Sequence, residues 1–216
     1  MLIKNIKSKN NNDISLFNIG YKNAENKTIL IIGVVHGEEP QGKKLIEDYL
    51  NSNPKTKNNI LLIPCLNPDG MVENKRQNAN GVDINRNFPT KNWGEDCQRP
   101  NKDDYFGGKS PASELETKFV LEIIEQYEPS VILTIHSPYK VVNYDGPAEK
   151  IAQKISDIIG YPVTNDIGYP TPGSMGNYAG VERNIPIITL ELDEEKSVEE
   201  LKPSMIEIFD YLAELQ

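Results

Sequence analysis

Four side chains that can bind a metal ion or move a proton lie close to the ends of three apolar runs. TILIIGVVHGEEP carries His36 and, three residues later, Glu39. SVILTIH ends on His136, the second of the chain's two histidines, and IPIITLELD carries Glu191 near its end. Imidazole nitrogens and carboxylate oxygens are ligands that zinc prefers, and two histidines with one glutamate form a known catalytic set. These residues therefore predict a zinc site.

The apolar runs indicate how these side chains come together. Runs this dense are typical of buried parallel strands. In open α/β sheets, active sites gather at the carboxyl ends of such strands. We therefore predict that His36, Glu39 and His136 bind one Zn²⁺ and that Glu191 is the general base. A short HxxE motif occurs by chance, and the alternative is that each histidine only caps a strand with a hydrogen bond.

The remaining patterns predict the elements around this edge. ISLFNI, residues 14–19, alternates like an edge strand, and a helix that begins at Gln41 connects the His36 strand to a parallel strand from Asn59. Further helices are predicted after a capping box at Ser113 and Glu116, over Ala148 to Ile159, and at the C-terminus with Pro203 near the first turn. We expect residues 1–216 to form a single α/β domain whose mixed, largely parallel sheet has helices on both faces.

Two long segments lack apolar periodicity and are rich in Asn, Asp, Gly and Pro. They run from Asn67 to Pro111 and from Gly160 to Asn184. Loops this long in a compact domain are usually either functional or disordered, and the specific motifs that these carry favour function. We expect the first to wrap over the sheet edge and wall the site, and the second to be a functional loop.

The composition excludes several classes of protein. The formal net charge of −9 argues against a nucleic-acid partner, which would need clustered Lys and Arg. No continuous apolar segment is long enough for a signal peptide or a membrane span, so we expect a cytoplasmic protein without a membrane partner. Cys65 and Cys97 are predicted to be reduced thiols, although one bridge between them stays open.

Five motifs resemble one known family in its own order along the chain. HGEE, NPDG, NGVDINRNFP, IHS and TLEL together resemble the zinc carboxypeptidases of carboxypeptidase A type. The resemblance assigns zinc to His36, Glu39 and His136, and it matches Glu191 to the catalytic glutamate. These are the same assignments that the strand ends predict. The implied activity is zinc-dependent hydrolysis of an amide bond.

The same resemblance implies roles for residues in the two long segments. Arg76 matches an arginine that stabilises the oxyanion, and Asn85 and Arg86 match the pair that binds the terminal carboxylate of the substrate. Asp83 matches a carboxylate that orients a zinc-bound imidazole, for which we expect His36 as the partner. Tyr169 is the candidate for a tyrosine that closes over the substrate.

Tyr178 remains an alternative to Tyr169 for this closing role.

Within the family, PASELET, VNYDGPA and YPTPGS are most similar to the murein peptide amidases, which cleave the bond between γ-D-glutamate and meso-diaminopimelate in peptidoglycan recycling. Glu38 stands where digestive carboxypeptidases carry an arginine. We expect Glu38 and Asp145 to suit the amine of such a substrate.

Three other functions remain open. Two are enzymes: a zinc carboxypeptidase for other peptides, and a deacylase of the succinylglutamate desuccinylase and aspartoacylase type. The non-enzyme alternative is a pseudoenzyme that binds muropeptides without cutting them, but the sequence keeps all four residues of the predicted zinc and base set. The sequence predicts no oligomeric state.

Overall fold

The fold is built on one sheet of eight strands. The computed structural model describes residues 1–21, 25–98 and 105–216. The strands are β1 (Leu2–Lys7), β2 (Asp13–Ile19), β3 (Thr28–Ile32), β4 (Asn59–Ile63), β5 (Val131–His136), β6 (Val141–Asp145), β7 (Val163–Thr164) and β8 (Ile187–Glu191). The helices are α1 (Gln41–Asn51), α2 (Pro68–Glu73), α3 (Leu115–Tyr127), α4 (Glu149–Ile159) and α5 (Val198–Ala213).

The strands follow the order β1-β2-β4-β3-β5-β8-β6-β7 across the sheet. The centre is parallel, because β3 pairs in parallel with both β4 and β5, and β5 pairs in parallel with β8. Antiparallel pairs join β1 to β2, β2 to β4 and β6 to β8. The prediction of a mixed, largely parallel sheet is confirmed, as is the parallel β3-α1-β4 unit.

Helices cover both faces of the sheet. Ile29 and Ile31 of β3 belong to one apolar core together with residues of α1, α4 and α5. Leu30 and Ile32 point to the opposite face, where they belong to a second core with residues of α3. Both faces of the central strands are buried, which explains why their sequences are continuous apolar runs.

The edge of the sheet differs from the prediction. Residues 14–19 were expected to form an edge strand, but β2 lies between β1 and β4. The edge is β1, which the sequence patterns did not predict. Its apolar residues are separated by Lys and Asn, and none of its six side chains is fully buried. The polar segment at residues 21–27, whose sequence is typical of a turn, falls partly outside the described residues.

Two helix starts also differ from the prediction. Ser113 and Glu116 form no capping box, because the Ser113 hydroxyl donates to Glu114 and the Glu116 carboxylate accepts from Asn78. The structure instead has a capping box at the start of α5, formed by Ser197 and Glu200. Pro203 was predicted near the first turn of α5. It lies in the second turn, since this helix begins at Val198.

Candidate active site

His36 and Glu39 lie on a turn that follows the end of β3. Val34 adopts a left-handed conformation with φ of 49°, which is rare for a β-branched residue and turns the chain away from the strand. The backbone N–H groups of Leu66 and Asn67 donate to the carbonyls of residues 33 and 34 and hold this turn. A side chain at Gly37 would lie 2.0 Å from the backbone of α2, so only glycine fits there.

His136 and Glu191 are the last residues of neighbouring parallel strands. His136 ends β5, Glu191 ends β8, and the two residues are partners in the register of the sheet. Parallel strands deliver their carboxyl ends to one edge, which is also the edge where β3 ends. The topology thus brings together residues that are distant in the sequence, such as His36 and His136, which lie 100 positions apart.

The donor atoms of three buried side chains converge on one point. The Nδ1 atoms of His36 and His136 are 3.2 Å apart. Glu39 approaches both, with 2.9 Å to His36 Nδ1 and 2.8 Å to His136 Nδ1. Among the described residues, these three form the group whose ligand atoms all lie within 4.8 Å of one another and could hold a metal ion.

This spacing fits zinc. Two nitrogens bound to a tetrahedral zinc ion at about 2.0–2.1 Å lie about 3.3 Å apart. The observed separation of the two Nδ1 atoms is 3.2 Å. The donors are also of the types that zinc selects, and the carboxylate of Glu39 reaches both imidazoles with different oxygens.

Asp83 fixes the orientation of His36. The Nε2 atom of His36 lies 3.2 Å from the Asp83 carboxylate, which also accepts a hydrogen bond of 3.0 Å from Nε of Arg76. With its proton on Nε2, His36 donates to Asp83 and leaves the lone pair of Nδ1 for a metal ion. Asp83 is completely buried behind the site.

The charges of the site favour a cation. Burial alone would raise the pKa of the Glu39 and Asp83 carboxyls, but His36 acts on both, together with His136 on Glu39 and Arg76 on Asp83, and holds each pKa well below its usual range. Burial would lower the pKa of His36, but Glu39 and Asp83 outweigh it and raise the value to about 9. Two buried carboxylates therefore stabilise positive charge at this point.

Glu191 has the properties of a proton acceptor. It is buried, and its Oε2 atom has no hydrogen-bond partner among the described residues. Burial raises the pKa of this carboxyl, His136 opposes the increase, and the charge of Glu39 adds to it. A buried carboxyl with a raised pKa and an unpaired oxygen can take up a proton from a water molecule beside it.

A cleft of about 270 Å³ opens over these residues. The predicted site residues that line it are His36, Glu39, His136, Glu191, Arg76, Asn85, Arg86, Tyr169 and Asp145. Both long segments supply walls of the cleft, as the sequence indicated. The first segment is not all loop, because it includes α2, whose first turn is capped by the side chain of Asn67.

Tyr169 and Tyr178 have different surroundings. Tyr169 lines the cleft, and burial together with a hydrogen bond to Tyr139 raises its pKa to about 12. Tyr178 packs on the ring of Phe88, with centroids 5.7 Å apart, and under the guanidinium of Arg183. Of these two tyrosines, Tyr169 is the one that lines the cleft.

Two acidic side chains add negative charge to the cleft wall. The side chain of Asp145 has no hydrogen-bond or ion-pair partner among the described residues, and burial raises the pKa of its carboxyl. A side chain at Gly176 would lie 2.2 Å from Oδ2 of Asp145, so glycine keeps this carboxylate accessible. Glu38 is exposed in the cleft lining.

Several residues of the cleft, among them Tyr105 and Asn143, are not predicted from the sequence. The ring of Tyr105 lies 5.0 Å from the guanidinium carbon of Arg76 and 5.3 Å from that of Arg86. No local pattern marks Tyr105. Asn143 could have been found, because it lies two residues before Asp145 on one strand and therefore shares its face.

Two further expectations concern the redox state of the cysteines and the presence of membrane-spanning helices. Cys65 and Cys97 are both buried and both free, as predicted. In the part of the chain that the structure describes, no helix combines the length and the apolar character needed to cross a membrane.

Comparisons with known proteins identify similar chains. A family model described as zinc carboxypeptidase matches residues 2–210. Murein peptide amidase A of Escherichia coli K12 is 30% identical over 176 residues, which cover 78% of this chain and 72% of that protein. The Vibrio campbellii protein of the same name is 33% identical over 174 residues, covering 76% of this chain and 68% of its own.

Solved structures agree with these matches. The crystal structure of the murein-tripeptide amidase of Escherichia coli O157 has a TM-score of 0.81 and 27% identity, and the match covers 97% of this chain and 90% of that one. Carboxypeptidase A of Helicoverpa armigera has a TM-score of 0.79 at 18% identity, covering 98% of this chain and 67% of that one. The second likeness is one of fold.

Proposed function

The chain belongs to the zinc carboxypeptidase family and is a hydrolase, and we propose that it is a murein peptide amidase that binds one Zn²⁺. Its proposed reaction is hydrolysis of the amide bond between γ-D-glutamate and meso-diaminopimelate in murein tripeptides. The observation that carries the proposal is the convergence of His36, Glu39 and His136 beside Glu191, in a cleft that contains both arginines and acids. The names of the similar proteins support the same substrate class.

The buried residues have two different roles in hydrolysis, which are metal binding and proton transfer. Zinc, when bound by His36, Glu39 and His136, polarises the scissile carbonyl and lowers the pKa of water to about 7. Glu191 takes a proton from the attacking water and later delivers it to the nitrogen of the leaving amine. Its raised pKa suits both steps, because the carboxyl must accept the proton and hold it until the bond breaks.

Two arginines in the cleft provide donors for the anionic groups of the substrate. Arg76 stabilises the negative charge that develops on the carbonyl oxygen, a contribution worth about 3 kcal/mol for one fixed donor. Arg86 and Asn85 bind a substrate carboxylate, since a guanidinium fork matches its two oxygens. The Arg86 side chain is held by a hydrogen bond of 2.7 Å to the Asn85 carbonyl. Tyr169 closes over the bound substrate.

The acids in the cleft account for the choice of substrate. Diaminopimelate carries a second ammonium and carboxylate at the end of its side chain. Asp145, with no partner of its own in the described structure, is a binding group for that ammonium. Glu38 disfavours a carboxylate at its position and adds attraction for an amine.

We also propose the domain organisation, the kind of substrate and the location of the reaction. Residues 1–216 act as one catalytic domain, and the substrate is a small soluble muropeptide. The reaction belongs to peptidoglycan recycling in the cytoplasm.

The test is digestion of a purified murein tripeptide with mass spectrometry of the products. The proposal predicts free meso-diaminopimelate and the dipeptide that ends in D-glutamate. Ordinary peptides with a C-terminal carboxylate and N-acyl amino acids serve as parallel substrates for the carboxypeptidase and deacylase alternatives. Cleavage of either class with an intact tripeptide would reject the proposal, and binding of the tripeptide without any cleavage would favour the pseudoenzyme.

A further inference from the structure

The segment between residues 76 and 87 carries three side chains that line the cleft, Arg76, Asn85 and Arg86. Asp83, which orients His36, also belongs to it, yet its only regular structure is a short 3₁₀ turn at Ile84–Arg86. A displacement of about 1 Å in such groups can cost roughly 100-fold in rate. The position of this segment must therefore be fixed by contacts outside it.

Two buried asparagines bracket the segment. Asn78 closes a turn with Val82, because its backbone N–H donates to the Val82 carbonyl and its side-chain oxygen accepts from the Val82 N–H. This turn leads directly to Asp83. At the other end, the side-chain oxygen of Asn87 accepts from the backbone N–H of Glu114.

Both ends of the segment meet the start of α3 at Glu114. The Oε2 atom of Glu114 accepts hydrogen bonds from the side-chain amides of Asn78, at 2.8 Å, and Asn80, at 2.7 Å. Its Oε1 atom accepts from the Ser113 hydroxyl at 2.6 Å. Glu116 supplies a second acceptor for the Asn78 amide at 3.1 Å.

The protonation of Glu114 matches these contacts. Burial opposes its ionisation, but hydrogen bonds from Asn80, Ser113 and Asn78 lower the pKa of its carboxyl. Glu114 is therefore an anion that accepts from all three side chains at neutral pH. Glu114 is buried, so losing its oxygens would leave the amide of Asn78 with only Glu116 as an acceptor.

We propose that Glu114 is a positioning residue for the substrate-binding segment. Through Asn78 and Asn80 it fixes the turn before Asp83, and through its backbone N–H it fixes Asn87 beyond Arg86. Glu114 does not line the cleft, and its carboxylate accepts from Asn78, Asn80 and Ser113 rather than contacting the metal ligands. The inference rests on the proposed function in one respect, namely that Arg86 and Asn85 bind a carboxylate of the substrate.

A residue that only stabilises the fold and one that positions Arg86 have different effects on ligand selection. A stability defect lowers the fraction of folded protein and weakens every ligand equally. Displacement of Arg86 weakens a ligand with a free carboxylate much more than the same ligand with a carboxamide, since the amide makes no charge-assisted bidentate contact. The ratio of the two affinities is therefore the informative quantity.

The experiment compares the binding of meso-diaminopimelate and of its dicarboxamide by calorimetry on the zinc-loaded protein. Glu114→Ala should lower the preference for the free acid by at least about tenfold, with unchanged zinc content. Glu114→Gln should keep most of the preference, because its amide oxygen can still accept from both asparagines while its amino group faces Ser113. Glu122→Ala, an exposed glutamate on the same helix, is the matched control and should change nothing.

Asn80→Ala tests the same contact if Glu114→Ala does not fold. Asn80 is exposed, and this change removes a single hydrogen bond to Glu114, so a smaller drop in the same preference is expected. An unchanged preference in Glu114→Ala, or equal weakening of both ligands, would overturn the inference. A wild-type protein that cleaves no murein peptide but prefers the free acid would reject the proposed function and leave this inference standing.

Discussion

At the scale of single residues, the account depends on four side chains whose chemistry was visible in the sequence. His36, Glu39, His136 and Glu191 were predicted from their types and from the apolar runs that precede them. Their exact relation was not predictable, because the 3.2 Å between the two Nδ1 atoms depends on strand register and on the left-handed turn at Val34. Neither feature leaves a local pattern.

Replacing Glu191 with glutamine tests proton transfer. Glutamine keeps the shape of the side chain but cannot accept the proton of the attacking water, so kcat should fall by about 10²- to 10⁴-fold. Zinc content, measured by elemental mass spectrometry, should not change, because Glu191 is not one of the three ligands. Turnover within a few-fold of wild type would assign the base to another residue.

The variant Asp145→Asn tests recognition of the amine. The change removes the charge of a side chain without another partner, so KM for a diaminopimelate substrate should rise about tenfold, as expected for a lost charge-assisted hydrogen bond. KM for an analogue without the side-chain amine should stay constant. Asp157→Asn on the exposed face of α4 is the control. An unchanged KM for both substrates would remove Asp145 from the binding site.

At the scale of elements, the sequence predicts what periodicity and apolar density determine. The central strands and α1 were found in this way, because their side chains pack against whole faces of the sheet. Helix α2 was not found, since its six residues have no apolar stripe, although the Asn67 cap followed by Pro68 is itself a signal for the start of a helix. The capping box predicted at Ser113 and Glu116 is absent for a different reason. Glu116 accepts a hydrogen bond from Asn78, a residue far away in the sequence, and a local pattern does not reveal such a contact.

The buried Glu116 makes the stability of this region depend on pH. Burial raises the pKa of its carboxyl to about 7, with hydrogen bonds opposing the increase and the nearby charges of Glu114 and Asp69 adding to it. Between about pH 4.5 and 7 the folded chain binds more protons at this residue than the unfolded chain. Its contribution to the free energy of unfolding should therefore fall as pH rises through this window.

Urea unfolding of Glu116→Gln measures that contribution. Glutamine is neutral at every pH and can still accept from Asn78, so the variant should gain stability relative to wild type on going from pH 5 to pH 8. The gain should be on the order of 3 kcal/mol, as a shift of between two and three pKa units implies. A difference between variant and wild type that does not vary with pH would contradict this assignment.

At the scale of the whole molecule, the site joins distant parts of the chain. Its ligands and base come from the ends of β3, β5 and β8. Arg76, Asn85, Arg86 and Tyr105, from the described part of the first long segment, line the same cleft. A metal ion held there connects these parts only in the folded state. Metal binding should therefore stabilise the whole protein as well as enable the reaction.

Removal of the metal by a chelator should abolish hydrolysis and lower Tm, and added zinc should restore both. A ligand that binds only the folded state contributes about 2.7 kcal/mol when present at 100 times its Kd. Differential scanning fluorimetry with and without the chelator measures this effect. An unchanged Tm after chelation would show that metal binding does not stabilise the folded state.

Anomalous diffraction at the zinc edge, from crystals of the purified protein, locates the bound ion relative to its three proposed ligands. The account predicts one strong peak at about 2.0–2.2 Å from Nδ1 of His36, Nδ1 of His136 and the carboxylate of Glu39, with Glu191 beside it. A zinc ion located elsewhere in the protein, or zinc-loaded crystals with no anomalous peak between these three side chains, would contradict the proposed zinc site.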